Sequence, residues 1–221
     1  MMAKRKATGT AIAVVSQPVV INAGRPYDAR NPHSWLRLTG DPVGTHGLRI
    51  MHGTLRLFLG ENPQRNSAEA FFRAKCRPAE SLDPLAVTAH RHEVLVPPGV
   101  DDSYADPWML ARHIDHGLAR ETDRTAPICC YWTVGDPDVR HLHEQWRTGR
   151  RVVEALVERY RVPMLLVQHV PEQASSANPP HLHCMAAVRT LGSRGFGPSV
   201  PALIGDKARQ LFVDAWVEAG L

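Results

Sequence analysis

Two apolar runs that bracket one polar loop restrict this chain's fold more than any other feature. PMLLVQH ends at His169, the loop 170–180 contains EQASSANPP, and HLHCMAAVR begins at His181. Both runs read as strands, and pairing across the loop makes them an antiparallel hairpin. Side chains two apart on a strand share a face, so His181 and His183 point the same way. His169 then lies at the loop end of the neighbouring strand, about 4.8 Å away. The three imidazoles are expected to converge on one divalent ion, with nitrogens roughly 3–4.5 Å apart.

Upstream, the elements alternate. TLRLFL has strand periodicity, and SAEAFFRAKC forms a short helix capped by Asn66 or Ser67. HEVLVPP is a second strand. Asp106 followed by Pro107 starts a helix through WMLARHIDHGLARE. APICCYWTV is too apolar to be half exposed and reads as a central strand. Asp138 caps the longest helix, whose apolar stripe runs through Val139, Leu142, Trp146, Val153, Leu156 and Tyr160. After the histidine strands and the Gly/Pro-rich loop GSRGFGPSVP, a last helix begins at Asp206. The order predicts an α+β fold, with a mostly antiparallel sheet of about five strands backed by helices. Residues 1–50 show no sustained period and read as an irregular N-terminal extension to a domain spanning 51–221.

The chain's 221 residues suffice to bury a core without staples. Its net charge of +4 comes mainly from arginine, whose fork suits phosphate oxygens, although so small a charge is also common in proteins without acidic partners. Four cysteines without C-x-x-C spacing argue against a disulfide framework or a zinc ribbon. The apolar stretch AIAVV after MMAKRK is cut short at Gln17 and Pro18, so a cytoplasmic protein without a membrane span is expected.

The remaining histidines carry less information. His141 and His143 straddle Leu142 in a helix, where residues two apart do not share a face. His113 and His116 are three apart and could ligate, but lack a partner in the sequence. His90 and His92 repeat the i, i+2 geometry at a strand start and are secondary candidates for lining the site.

Taken together, NPPHLHCMAAVR, the strand ending in His169 and the elements before them resemble the MobA/MobL family of plasmid mobilisation relaxases, members of the HUH endonucleases. The matching residues are Asn178, Pro179, His181, Leu182, His183 and Arg189, with Pro180 inserted. HEVLVPPG, ADPWMLARHID and the RGFG at Arg194 are similar to further family segments. The resemblance implies an HUH relaxase-like fold over about 54–221. It also implies a divalent metal ion (Mn, Mg or Zn) held by His169, His181 and His183, single-stranded DNA as partner, and possible relaxosome proteins.

The family's nucleophilic tyrosine lies in a helix to which AEAFFRAK corresponds, which places Phe72 at that position. A phenyl ring has no oxygen with which to form a phosphotyrosyl link. Tyr27 and Tyr104, on loops, are the weak substitutes, while Tyr131 and Tyr160 read as core. Arg73, Arg189 and Arg194 are the arginines expected near DNA backbone. Three readings stay open: a nicking relaxase, an inactive relaxosome accessory protein that binds DNA, and a phosphodiester hydrolase that uses metal-held water without a covalent intermediate.

Overall fold

A computed structural model describes residues 18–41, 48–83, 86–135, 140–174, 178–205 and 207–220. In chain order the strands are β1 (Val19–Val20), β2 (Thr39–Gly40), β3 (Arg49–Arg56), β4 (Arg91–Leu95), β5 (Pro127–Gly135), β6 (Met164–His169), β7 (His181–Ala187), β8 (Arg189–Gly192) and β9 (Gly195–Ser199). The helices are α1 (Ala68–Cys76), α2 (Pro107–Gly117), α3 (Leu142–Tyr160) and α4 (Lys207–Gly220).

One seven-stranded antiparallel sheet has the order β1-β2-β3-β5-β7-β6-β4, and β8 pairs with β9 in a separate hairpin. The fold is α+β, as the alternation of elements predicts. Its sheet is larger than the expected five strands because residues 18–41 add β1 and β2 at one edge. The stretch expected to be irregular also buries Trp35 and Leu36, at 4% and 1% exposure. A two-residue strand has no measurable period, so tertiary pairing decides it. The Gly/Pro-rich loop likewise folds partly into the β8–β9 hairpin, with Gly195 at φ 93° in its turn, a conformation glycine adopts without steric cost.

Side chains of the central strands alternate between two cores. Trp132, Leu166 and Cys184 face α3 and α4, and Trp132 stacks on Phe212 at 5.0 Å. Tyr131, Leu165, Val167 and Met185 face the other way, against Phe71 and Phe72 of α1 and Leu110 of α2. Helices therefore cover both faces, which explains why APICCYWTV and HLHCMAAV are apolar without alternation.

Local chemistry fixes the helix ends. The Ser67 hydroxyl accepts the Ala70 N–H at the start of α1, and the Asp106 carboxylate accepts those of Trp108 and Met109 at the start of α2. The proposed cap Asp138, with Val139, lies outside the described residues, as does Asp206; α3 begins at Leu142, and its flanking His141 makes no side-chain cap. The buried stripe of α3 is Gln145, Gly149, Val152, Val153, Leu156 and Val157, with Trp146 and Tyr160 only partly buried beside it. This is a rotation of the expected stripe. Gln145 accounts for part of it: its side chain is held inward by bonds to Gln168 and to the carbonyl of Pro180.

Candidate metal centre

β7 lies between β5 and β6 and is hydrogen-bonded to both, so its register is held from two sides. Directly opposite residues on antiparallel strands share a face. His169 is the cross-strand partner of His181, and Val167 that of His183. All three imidazoles consequently project to the face that carries Tyr131 and Val167, at the sheet end near the C-terminus of α1.

The ring centroids of His169 and His183 are 4.3 Å apart, those of His181 and His183 4.7 Å, and those of His169 and His181 5.2 Å. One nitrogen from each ring lies within 4.8 Å of the other two. The Nε2 of His183 and the Nδ1 of His169 are 3.0 Å apart. Two nitrogens about 2.1 Å from one ion are separated by roughly that distance, so the cluster could hold a metal.

The outer hydrogen bonds select tautomers. His169 donates Nε2–H to the Lys75 carbonyl at 2.5 Å, which leaves Nδ1 as its lone pair toward the cluster. His181 donates Nδ1–H to the carbonyl of Pro179 at 2.9 Å, which frees Nε2. His183 meets the Tyr131 hydroxyl through Nδ1 at 2.7 Å. With Nδ1–H donated to that hydroxyl, its Nε2 also becomes a lone-pair donor. Carbonyl or hydroxyl support of the outer nitrogen is the arrangement that orients imidazole ligands in metal sites.

Burial keeps the rings neutral. Desolvation lowers His169 to about 4, and takes His183 well below its ordinary value, with Lys75 and the other histidines adding to the effect. His181 is lowered for the same reason. Neutral imidazoles are ligands without first losing a proton.

The cluster forms one wall of a cleft of about 320 Å³ that His33, Lys75, His90 and Asn178 also line. Lys75 and His33 were invisible as site residues in the sequence. The Lys75 ammonium lies 2.7 Å from His33 Nδ1 and above the rings of Tyr131 and Phe71, at 4.6 and 5.2 Å from their centroids. Desolvation, reinforced by Arg25, lowers Lys75 to about 7, and desolvation with Lys75 nearby lowers His33 to about 3. The i, i+4 spacing of Phe71 and Lys75 was readable, but a lysine on a short helix reads as solvent-facing. His33 reaches the site from 42 positions earlier in the chain.

The other candidates are distributed as follows. Phe72 is fully buried in the α1 core and does not line the cleft; Phe71 stands closer to the centre, edge-on to Tyr131 at 5.4 Å. Tyr131, buried as expected of a core residue, nevertheless aims its hydroxyl at a histidine of the cluster. Tyr27 donates to Asn66, just before α1, whereas the histidines lie at that helix's other end, roughly 12 Å along it. Tyr104 is not on a free loop: it sits in a short 3₁₀ turn, packed on His113 at 4.5 Å and on Phe196 at 5.8 Å. Tyr160 packs beside the α3 core.

None of the three arginines lines the cleft. Arg73 pairs with Glu69 at 2.8 Å and covers Trp108. Arg189 follows β7 at the end away from the histidines, roughly 20 Å from His183 along the strand, and donates to the Gly197 carbonyl. Arg194 is exposed in the β8–β9 turn. His90 lines the cleft, while His92, His116, His141 and His143 are exposed.

No protein-family profile matches the chain, and no curated protein does. A solved structure does: one described as "Molecular Basis of Vancomycin Resistance Transfer in Staphylococcus aureus" aligns with a TM-score of 0.58 at 17% identity, covering 78% of this chain and 89% of that one. At that identity the likeness concerns the fold alone. Among the described residues, no helix is long and apolar enough to cross a membrane.

Proposed function

We propose that this chain is a metal-binding, single-stranded-DNA-binding, relaxase-like protein of plasmid or mobile-element mobilisation, of the MobA/MobL kind. The observation that carries the reading is the convergence of His169, His181 and His183, each with its outer nitrogen supported, on two adjacent central strands of a relaxase-like fold. The association of the similar structure with resistance transfer in Staphylococcus aureus agrees with it. An all-imidazole donor set suits Zn²⁺ or another transition ion better than Mg²⁺, which prefers oxygen.

A divalent ion bound there would polarise a phosphate and stabilise the charge that develops in phosphoryl transfer. The chain's own residues do the rest. The three histidines present lone pairs at neutral pH, and Tyr131 and the Lys75 carbonyl hold two of the rings in place.

A second reading, the hydrolase that uses metal-held water, is favoured by one observation. All four tyrosines are located, and none lines the cleft. The Tyr131 hydroxyl is buried against His183, and desolvation raises its pKa far above the usual range, opposing nucleophilic use. The hydroxyl of Thr88, which does line the cleft, is engaged with both backbone polar groups of Ala79.

One experiment separates these readings and the accessory role. The protein is incubated with Mn²⁺ or Zn²⁺ and labelled single-stranded oligonucleotides, then resolved under denaturing conditions. A covalent adduct indicates a nicking relaxase, cleaved DNA without an adduct indicates hydrolysis, and retention without cleavage indicates an accessory binder. No binding at low salt would overturn every nucleic-acid reading.

A further inference from the structure

We propose that the cleft contains a phosphate subsite beside the histidine cluster, in which the Lys75 ammonium, aimed by His33, takes one oxygen of the anion that the metal holds by another. Metal and phosphate then bind as a coupled pair. The inference rests on the metal-centre reading and adds the contact on the phosphate side.

Lys75 is only 4% exposed, yet it lines the cleft. Its hydrogen-bond partner among the described residues is the neutral His33 ring, which uses one of its three N–H donors. The rings of Tyr131 and Phe71 cushion the cation from below but do not neutralise it. A buried ammonium without a counterion is unfavourable. No aspartate or glutamate is among the described residues that line the cleft.

A divalent ion on three neutral imidazoles would put two more positive charges into the same acid-free space. Like charges at this range oppose one another, so the cation site alone is electrostatically incomplete. An anion placed between Lys75 and the ion removes both penalties at once, and a tetrahedral phosphate offers an oxygen to each.

The turn that presents His33 is built to hold its position. Pro32 precedes it, the Asn31 side chain accepts the His33 N–H at 3.1 Å, and the Ser34 hydroxyl donates to the Asp28 carbonyl. The Nδ1 of His33 therefore presents a fixed acceptor that holds the lysine in the cleft that the histidines also line. The same chemistry serves free phosphate and a phosphodiester in a DNA strand.

The test is a calorimetric titration of Mn²⁺ into the full-length protein in three buffers: without phosphate, with inorganic phosphate, and with a short oligothymidylate. Tightening of Mn²⁺ by about tenfold in either phosphate-containing buffer is expected, a coupling of ordinary size for linked sites. Lys75→Met should abolish the tightening while binding Mn²⁺ alone at least as well as wild type. Lys75→Arg should retain part of it, and His33→Gln should weaken it. The arginine and glutamine variants decide the matter if the methionine variant fails to fold. Equal tightening in wild type and Lys75→Met, or none in wild type, would overturn the subsite. Tightening by inorganic phosphate but not by the oligonucleotide would support the subsite and remove the nucleic-acid reading. Absence of Mn²⁺ binding in all three buffers would overturn the metal centre and the subsite together.

Discussion

Tyr131 places its hydroxyl 2.7 Å from Nδ1 of His183, across the pair of strands that forms the middle of the sheet. The ring faces lie 25° from parallel, so packing and hydrogen bonding fix the same imidazole. Whichever way the shared proton lies, that hydroxyl decides whether the nitrogen facing the cluster is a donor or a lone pair.

Removing the hydroxyl alone isolates this role. Tyr131→Phe keeps the ring that meets Phe71 and Lys75, so the fold should lose only about 1–3 kcal/mol, the cost of leaving one buried polar group unpaired. Metal affinity should fall roughly 10- to 100-fold, the usual consequence of deleting a partner of a ligating histidine. Zn²⁺ competition against a chromophoric chelator would measure it, and an unchanged affinity would show that His183 needs no such support.

Acid should destabilise the metal-free protein. In the unfolded chain the histidines titrate near pH 6.5, whereas folded His169 titrates near 4 and folded His33 near 3. Between those limits the unfolded state takes up protons that the folded state refuses, so stability declines as pH falls through that window. A histidine shifted from 6.5 to about 4 accounts for on the order of 3 kcal/mol. Lys75 acts in the same direction at higher pH. It is lowered to about 7, so stability should rise as pH climbs from 7 toward 10. Urea midpoints at pH 5, 7 and 9, with chelator present, should increase in that order; a higher midpoint at pH 5 than at 7 would contradict the burial of these rings.

The histidine centre was legible in the sequence because a strand has a period of two and because two apolar runs joined by a polar loop allow little but a hairpin. The Lys75–His33 pair in the same cleft was not. Lys75 is brought inward by tertiary packing of α1, and His33 by the docking of a segment without period, and neither leaves a local signature. Tyr131 shows the same limit from the other side: its burial was readable from APICCYWTV, but the target of its hydroxyl depended on the register between β5 and β7. Arg189 and Arg194 lie away from the cleft for a related reason, since proximity in sequence to the histidine strand says nothing about which end of the sheet a residue occupies.

Gly149 tests whether the helix beneath the sheet positions the histidines. A Cβ there would run into the Leu182 side chain, which lies between His181 and His183 in sequence and points to the opposite face. Gly149→Ala gains about 1 kcal/mol of helix propensity, but overpacking of this kind typically costs 1–3 kcal/mol. A net loss of stability is expected, together with weaker metal binding, because the strand that carries two of the ligands must shift. A melting temperature at or above wild type would show that α3 has room to move away.

Position 72 carries a phenyl ring without a hydroxyl. Phe72 occupies the position that the sequence resemblance assigns to a nucleophile, but its ring is fully buried beside Phe71 and does not reach the cleft. A tyrosine there would place its hydroxyl in an apolar core, where a polar group without a partner costs about 1–3 kcal/mol. Phe72→Tyr should therefore melt at a lower temperature than wild type, and neither protein should form a covalent link to single-stranded DNA in the presence of Mn²⁺. Phe71 offers the sharper contrast, because its ring already touches Tyr131 and the Lys75 ammonium. If Phe72→Tyr, but not Phe71→Tyr, yields an adduct that peptide mass assigns to residue 72, then α1 must turn on binding DNA so as to carry that side chain out of the core, and the resting arrangement of the helix is not the reactive one.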